Sequence, residues 1–295
     1  MDAEECRRRI EKCFPQFQIR SFKPNEEGWD FFVLEVNDDF IFRFPRRPDG
    51  VVYLERESAL LPKLAQVLSV RVPQFEYIYN GGEKCAPFVG YRKIEGVPLT
   101  KELLQSIQSN RLTQQITCLL SELHRFPTQQ AVKSNVPYAN AAQWRQQYCN
   151  LYVEVRERVF PLLNTSARTK AILLWENFLN IETHFQFASV LLHKDLSGGH
   201  ILCEPSGEQI AGIIDWGDLS IGDPAYDFTG LWRVYGSHFV EEVLAGYESK
   251  VVQTFRERIA FYSSKISFHK VLYRLHMRDS VRLELGLHEL HTEIG

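Results

Sequence analysis

HKDLSGGH at residues 193–200 and IIDWGD at residues 213–218 are the two stretches that decide the fold of this 295-residue chain. Each follows a short apolar run, and the turn signal EPSG lies between them, which together predict a β-hairpin. Such a hairpin brings His200, before its first strand, close to Asp215, after its second strand. Asp195 lies one loop away, so three polar side chains are expected to converge at one end of the hairpin.

This set of side chains suits phosphoryl transfer. The reaction needs a carboxylate that orients the acceptor hydroxyl and takes its proton, and further ligands for a metal that bridges the nucleotide phosphates. We therefore expect Asp195 to be the catalytic residue, and His200 and Asp215 to hold Mg²⁺. We expect His193 to brace the loop by hydrogen bonding, as structural support.

The composition is that of an ordinary globular protein. Hydrophobic residues make up 44% and charged residues 24%, and the net charge is -3, so no global basic field points to nucleic acid. No apolar run is long enough to span a membrane, and the N-terminus lacks the apolar core of a signal peptide. The six cysteines are scattered without a C-x-x-C pair, which fits a reducing compartment. We expect a cytoplasmic monomer without membrane or nucleic-acid partners.

The first ninety or so residues carry the pattern of a sheet with a helix. Aromatic and branched residues at 29–36 and 40–44 flank the turn signal NDD, which predicts a second β-hairpin. Further expected elements are a helix at 51–68, kinked or broken by Pro62, and strands at 75–79 and 88–92.

Helical periodicity dominates beyond Gly96. The sequence therefore predicts an α+β fold with a small β-rich N-terminal lobe at 1–92, which binds nucleotide. A larger helical C-terminal lobe at 93–295 is expected to carry the catalytic loop and the substrate site.

The motifs as a set resemble those of the aminoglycoside phosphotransferases and their macrolide-phosphorylating relatives. The stretches at 193–200 and 213–218 carry the resemblance, together with GDPAYDF at 222–228. It implies a bilobal protein-kinase-like fold and transfer from ATP or GTP to a small-molecule antibiotic. Histidine at position 200, where the family usually has asparagine, is similar to the 2″-phosphotransferase and macrolide branches. Asp227 matches the buried aspartate that supports the catalytic loop in the family.

The resemblance extends to residues expected to bind the nucleotide. Arg43 stands where the family has a phosphate-binding lysine, and arginine can hold phosphate with two donors. Glu57 stands where the family has the helix glutamate that pairs with that cation. FVGYRKIEGVPLT at 88–100 resembles the hinge of 2″-phosphotransferases, and EGW at 27–29 stands where a phosphate-covering loop is expected. The nucleotide-binding residues implied by these two stretches are Gly28, Arg92, Lys93 and Ile94.

Acidic side chains are candidates for the acceptor site, because aminoglycosides are polycations. The segment after Phe228 reads TGLWRVY, however, where the 2″ class usually carries acids. An apolar and aromatic pocket would better suit a macrolide or another metabolite. The acceptor-site candidates are Asp218, which is equally a plain turn residue, and Glu241, Glu242 and Glu284.

The leading hypothesis is a nucleotide-dependent O-phosphotransferase that modifies an aminoglycoside at its 2″ position and confers resistance. A macrolide 2′-phosphotransferase is the alternative within the same class. A catalytically idle nucleotide-binding protein is a second hypothesis, because Arg43 and His200 depart from the commonest pattern. A metallohydrolase built on His193, Asp195 and His200 is a third, since zinc sites use histidine and carboxylate. It leaves the hinge-like stretch unexplained.

Overall fold

The computed structural model describes residues 1–25, 30–82, 85–106, 110–248, 251–277 and 279–294. Its helices are α1 Ala3–Cys13, α2 Pro48–Leu64, α3 Lys101–Ser106, α4 Asn110–Arg125, α5 Thr128–Val132, α6 Ala141–Arg158, α7 Thr165–Asn180, α8 Phe228–Tyr235, α9 Ser237–Gly246, α10 Gln253–Met277 and α11 Ser280–Ile294. Its strands are β1 Phe22–Asn25, β2 Phe31–Val36, β3 Phe40–Pro45, β4 Phe75–Tyr79, β5 Phe88–Arg92, β6 Val97–Pro98, β7 Val190–Leu192, β8 Ile201–Cys203, β9 Ile210–Ile213 and β10 Ser220–Gly222.

The chain forms two compact units. The first consists of Met1–Gln115, Gln129–Val136 and Gly199–Leu219, and the second of Ile116–Thr128, Pro137–Gly198 and Ser220–Gly295. The first unit holds β1 to β6, β8 and β9, whereas the second is mostly helical. The expected α+β fold is therefore confirmed. The lobe boundary at residue 93 stays a prediction.

An antiparallel sheet with the order β1-β2-β3-β5-β4 forms the centre of the first unit. The predicted hairpin is present as β2 and β3. Its turn places Asn37 at φ 56° and Asp38 at φ 62°, the left-handed backbone that a tight hairpin turn needs and that Asn and Asp tolerate best among the non-glycine residues. Gly90 in β5 lies under the Phe42 ring, which any Cβ at that position would overlap. Only glycine therefore lets this aromatic ring pack flat against the sheet.

Helix α2 packs against this sheet through an apolar stripe. Pro48 begins it, because the fixed φ of proline suits the first helical turn, where an N–H has no partner anyway. Leu54, Leu61 and Leu64 are buried. Pro62 lies inside the helix, which ends two residues later at Leu64 rather than continuing to residue 68.

The second predicted hairpin is also present in the first unit. Strands β8 and β9 pair antiparallel, with Ile201 opposite Ile213, and β6 adds to the other edge of β8. All the residues of β8 and β9 are buried. The hairpin therefore has little freedom, and the residues at its open end are held in fixed positions.

The second unit packs its helices through aromatic side chains. Trp144 and Trp175 are buried core residues, and the Phe178 and Phe261 rings stack with centroids 3.6 Å apart. Strand β7 pairs with β10, so the chain that leads into His193 is hydrogen-bonded on one side. Among the described residues, no helix combines the length and the apolar character needed to cross a membrane.

Candidate active site

The open end of the β8–β9 hairpin brings two of the predicted residues together. The backbone N–H of Ile214 donates to the carbonyl of His200 at 3.0 Å, which extends the hairpin by one more pair. Nε2 of His200 consequently lies 3.5 Å from Oδ2 of Asp215. Asp215 adopts φ 63°, a left-handed conformation that costs backbone energy and turns its half-exposed carboxylate back towards the hairpin.

A buried ion pair lies next to this carboxylate. Arg43, in β3, donates from Nη1 to Oε2 of Glu57 in α2 at 2.6 Å. The Arg43 side chain is 6% exposed and the Glu57 side chain is fully buried. The Phe31 ring covers the guanidinium, with its centroid 4.0 Å from Cζ. The family resemblance implied this pair, and the strand and helix that carry the two residues are those expected.

The second arm of the guanidinium points to Asp215. Nη2 of Arg43 lies 3.8 Å from Oδ1 of Asp215, and within the described chain neither this Nη2 nor Oε1 of Glu57 has a hydrogen-bond partner. A buried donor without a partner is costly, so Nη2 is suited to an anionic oxygen such as that of a phosphate. Three side chains from different elements thus form one charged cluster: Arg43, Glu57 and Asp215.

Burial and charge act against each other in this cluster. Burial disfavours the charged guanidinium, but the Glu57 carboxylate, Tyr91 and Asp215 outweigh it and raise the pKa of Arg43. Burial raises the pKa of Glu57, and the charge of Arg43 opposes that rise. The arginine therefore remains a cation at any physiological pH.

Arg56 is a residue that sequence reasoning missed. It is buried, and its guanidinium donates to the carbonyls of Asn135 at 3.1 Å, Gly217 at 3.4 Å and Leu219 at 3.3 Å. These bonds hold the segment that follows Asp215 against α2. The sequence signal was weak, because arginine on a helix is usually exposed.

The predicted catalytic residue, Asp195, lies exposed on a loop of the second unit. Its backbone N–H donates to Nδ1 of the fully buried His193 at 3.3 Å. The carboxylate of Asp227 accepts from the backbone N–H groups of His193 at 3.0 Å and Lys194 at 2.7 Å. Lys194 has φ 71°, which is strained for lysine. Asp227 therefore stabilises a backbone that the loop would not adopt by itself.

Two further residues hold that aspartate in place. Nε2 of His124 lies 3.1 Å from Oδ2 of Asp227, and Nδ1 lies 2.5 Å from the Tyr247 hydroxyl. Gly230 in α8 is a further position that sequence reasoning missed. A Cβ there would collide with the Leu196 carbonyl, so glycine is required for α8 to approach the loop.

The hinge-like stretch follows β5 in the first unit. The Lys93 backbone N–H donates to the Asp39 carbonyl at 2.7 Å, so it already has a partner. The Lys93 ammonium pairs with Glu35 at 2.8 Å. A cavity of about 380 Å³ borders this stretch and is lined by residues 65, 68–72, 74, 76 and 92–94, which include the predicted Arg92 and Ile94. The Arg43 cluster does not line it. Gly28 lies outside the described residues.

Residues 21–261 match the phosphotransferase enzyme family. The chain belongs to this family. It is therefore an enzyme, and the resemblance drawn from its motifs is confirmed. The viomycin phosphotransferase of Streptomyces vinaceus is 27% identical over 266 residues, which cover 87% of this chain and 88% of the relative. The uncharacterised protein YcbJ of Bacillus subtilis is 24% identical over 76% of this chain and 74% of its own length.

Solved structures agree with this phosphotransferase over nearly its whole length. The GDP and kanamycin complex of an APH(2″) enzyme is 30% identical with a TM-score of 0.91, covering 98% of both chains. The GDP complex of wild-type aminoglycoside 2′-phosphotransferase-IIIa is 30% identical with a TM-score of 0.92, covering 99% of this chain and 98% of the other. Macrolide 2′-phosphotransferase type I, at 20% identity and a TM-score of 0.79 over 98% of both chains, shares the fold. The kinase-like fold expected from the motifs is confirmed.

Two side chains of the phosphotransferase are candidate ligands for a divalent metal ion, and one of them suits Mg²⁺ better than the other. Nε2 of His200 and Oδ2 of Asp215, 3.5 Å apart, are close enough to bind one ion together. Mg²⁺ prefers oxygen ligands at about 2.1 Å, so the carboxylate fits it better than the imidazole does.

The acidic acceptor-site candidates lie on different elements. Glu241 and Glu242 are in α9, Glu284 is exposed in α11, and Asp218 is exposed in the first unit. Glu241 is bound by Arg256 through two donors, with Nη2 at 2.7 Å, and this arginine lowers the pKa of Glu241. Glu242 pairs with His238 at 3.3 Å. The charge of Glu241 is therefore already balanced within the protein.

Proposed function

We propose that this phosphotransferase transfers the γ-phosphoryl group of a nucleoside triphosphate to a hydroxyl of an antibiotic. An aminoglycoside, modified at its 2″ position, is the first acceptor that we propose. The observation that carries the proposal is the buried Arg43 guanidinium. Glu57 fixes it, and its Nη2, which has no hydrogen-bond partner among the described residues, lies on the side of Asp215. A buried, fixed cation beside a carboxylate suits a phosphate chain and its metal.

Each polar residue then has one role. Asp195 accepts the proton of the acceptor hydroxyl, whose oxygen bonds to the γ-phosphorus while the bond from that phosphorus to the β-phosphate oxygen breaks. Arg43 holds the phosphates. His200 and Asp215 would hold Mg²⁺, which when bound neutralises phosphate charge. Asp227 keeps the loop before Asp195 in its strained conformation.

A guanine nucleotide is the donor that we propose first. The two 30% identical structures named above were both solved with GDP. Residues 92–94 are proposed to border the purine. The Lys93 backbone N–H already donates a hydrogen bond to the Asp39 carbonyl, so other groups of this stretch would make most of the contact. ATP is the second donor to compare.

The acceptor proposal rests on the kanamycin in the 30% identical complex. Glu241 does not strengthen it, because Arg256 already balances that charge. The exposed carboxylates of Asp218, Glu242 and Glu284 remain the candidates for binding a polycation. Viomycin is the second acceptor that we propose, because viomycin phosphotransferase is 27% identical over 87% of this chain. A macrolide is the third, since that enzyme class shares the fold.

The deciding experiment is phosphoryl transfer by the purified protein with Mg²⁺ and either GTP or ATP. The acceptors are kanamycin, viomycin and a macrolide such as erythromycin, and the product is identified by mass spectrometry. Turnover of kanamycin, lost in Asp195→Asn and kept in Asp38→Asn, is the expected result. Asp38 is a matched control because it is exposed, lies outside the motifs, and has a backbone that asparagine tolerates.

The same assay separates the competing functions. Turnover of viomycin or the macrolide instead of kanamycin would replace the acceptor and keep the reaction. Nucleotide binding without any phosphorylated product would favour the catalytically idle protein. Hydrolysis of an acceptor that requires zinc and needs neither magnesium nor nucleotide would favour a metallohydrolase.

A further inference from the structure

Two adjacent residues of helix α2 bind different parts of the candidate site. Glu57 fixes the guanidinium of Arg43, as described above. Arg56, its neighbour in the sequence, is 7% exposed and donates from Nη1 to the carbonyls of Gly217 at 3.4 Å and Leu219 at 3.3 Å. One helix therefore holds both the cation proposed for the phosphates and the segment that directly follows a proposed metal ligand.

A third hydrogen bond fixes the orientation of the Arg56 guanidinium. Its Nε donates to the carbonyl of Asn135 at 3.1 Å. Asn135 adopts φ 59°, and the backbone N–H of Val136 donates to the Ala131 carbonyl at 3.2 Å, which closes the turn after α5 in the manner of a left-handed helix cap. The Asn135 carbonyl is therefore held in place. Arg56 meets three backbone acceptors with the donors of one rigid plane.

Asp215 lies between two points at which the backbone is held. Its φ of 63° is costly for aspartate, and such a conformation persists only where the surrounding structure over-determines it. Before it, the N–H of Ile214 is bonded to the His200 carbonyl. After it, the hydrogen bonds of Arg56 hold two carbonyls of the following segment. Releasing that second point would let Asp215 relax to an ordinary conformation and turn its carboxylate away.

We propose that Arg56 is a positioning residue for phosphoryl transfer, which keeps the Asp215 carboxylate directed towards Arg43 and the proposed metal position. Arg56 acts through the backbone and touches neither nucleotide nor acceptor. The inference rests on the proposed function, because that function makes Asp215 a metal ligand. Removing a group that orients a metal ligand typically costs about 10- to 100-fold in metal affinity or activity, so Arg56 should set how much Mg²⁺ the site needs.

The test uses two variants of α2. Arg56→Lys keeps the positive charge, but a single nitrogen cannot reach three carbonyls that are arranged around a planar guanidinium. Lys63→Met is the matched control, because Lys63 lies two turns further along the same face of α2. Its ammonium donates to Oγ of Ser134 at 2.8 Å and makes no hydrogen bond to the described residues 217–219. It therefore ties α2 to the turn after α5 alone.

The experiment measures nucleotide affinity by calorimetry over a range of Mg²⁺ concentrations, for the full-length protein and both variants. The nucleotide is GDP, or ADP if the parent protein binds it more tightly. Without Mg²⁺, Arg56→Lys should bind as the parent protein does, because Arg43 and Glu57 are unchanged. It should need about 10- to 100-fold more Mg²⁺ for half of the gain in affinity, whereas Lys63→Met should need the same Mg²⁺ as the parent protein.

Two further measurements show that the effect passes through Asp215. Hydrogen exchange of the protein without metal or nucleotide should be faster over residues 214–219 in Arg56→Lys, but not in Lys63→Met. In an Asp215→Asn background, Arg56→Lys should change the remaining Mg²⁺ requirement by less than about twofold, because the ligand that it positions has been replaced. Should circular dichroism show that Arg56→Lys is unfolded, Arg56→Gln takes its place in the same titrations.

The outcomes separate this inference from the proposed function. An Mg²⁺ requirement of Arg56→Lys equal to that of the parent protein would overturn the positioning role and leave the proposed reaction standing. An equal rise in Lys63→Met would also overturn it, because the effect would then follow from any loosening of α2. If the parent protein's nucleotide affinity did not respond to Mg²⁺, the metal role of Asp215 and this inference would fail together. The expected shift without phosphorylation of any acceptor would support the positioning role and refute only the proposed reaction.

Discussion

The buried pair of Arg43 and Glu57 gives the sharpest quantitative prediction. Glu57→Gln keeps the size of the side chain and a hydrogen-bond acceptor but leaves the guanidinium without its charged partner. At an effective dielectric constant of about 20, two charges 2.6 Å apart attract each other by about 6 kcal/mol. Asp215 replaces little of this, because it is 3.8 Å away and half exposed, so screening reduces its contribution to about 1 kcal/mol.

Removing one partner of a buried pair typically costs about 3–5 kcal/mol. Since glutamine still accepts a hydrogen bond, we expect Glu57→Gln to lower the free energy of unfolding by about 3 kcal/mol. The measurement is urea unfolding followed by circular dichroism, with Glu55→Gln as the control. Glu55 lies on the same helix but is exposed, so its substitution should cost less than about 0.5 kcal/mol.

A double substitution separates stability from function. Arg43→Met with Glu57→Leu replaces both charges by apolar side chains and should regain most of the lost stability, because two well-packed apolar groups avoid the desolvation cost of the pair. It should still lack activity, since no cation remains for phosphate. If Glu57→Gln unfolded like Glu55→Gln, the reasoning about a buried and uncompensated guanidinium would be refuted.

Three further predictions concern the loop, the metal ligands and an alkaline transition. Asp227→Asn should lower kcat at least about tenfold with little change in the KM for nucleotide. The carboxylate now accepts hydrogen bonds from two backbone N–H groups, and the NH₂ group of asparagine would face one of them. An unchanged kcat would contradict this. Asp215→Asn should cost more than about 100-fold in activity, whereas His200→Asn should retain turnover and need less Mg²⁺ for half-maximal rate, because asparagine offers an oxygen ligand. Burial raises the pKa of Tyr91 from 10.0 to about 12, so its contribution to stability is complete below pH 10 and is lost as the pH rises towards 12, by about 2 kcal/mol. The free energy of unfolding of Tyr91→Phe should fall less steeply with pH over this range than that of the parent protein. Parallel curves for the two proteins would show that Tyr91 does not cause the alkaline loss of stability.

Local patterns predicted much of the first unit. The turn signal NDD and its flanking aromatic residues identified the β2–β3 hairpin, because Asn and Asp adopt the two left-handed conformations more easily than other non-glycine residues do. The hairpin that joins His200 to Asp215 was predicted from two apolar runs and a turn. The pairing of Arg43 with Glu57 was implied by the family resemblance rather than by a local pattern, and the structure joins the two residues.

Contacts between distant positions were not predictable in this way. Gly230 was unremarkable in the sequence, because its need for a missing Cβ arises only where α8 meets Leu196. The contact of His124 with Asp227 spans elements whose packing no local pattern specifies.

The charge balance of the acceptor-site candidates was also beyond the sequence. Glu241 looked available for a polycation until the structure placed Arg256 on its carboxylate. Spacing along a helix shows which residues share a face, but it does not show which side chain from another helix reaches them. Acidic composition alone is therefore a weak guide to an aminoglycoside site.

The central claim is that Asp195 carries the chemistry while Arg43 and Asp215 serve the nucleotide. The most direct measurement is single-turnover phosphoryl transfer by Asp195→Asn with GTP, Mg²⁺ and kanamycin, alongside nucleotide affinity measured by calorimetry. We predict that the transfer rate falls by about 10² to 10⁴ and that nucleotide affinity stays within about threefold of the parent protein. A transfer rate equal to that of the parent protein would contradict the claim.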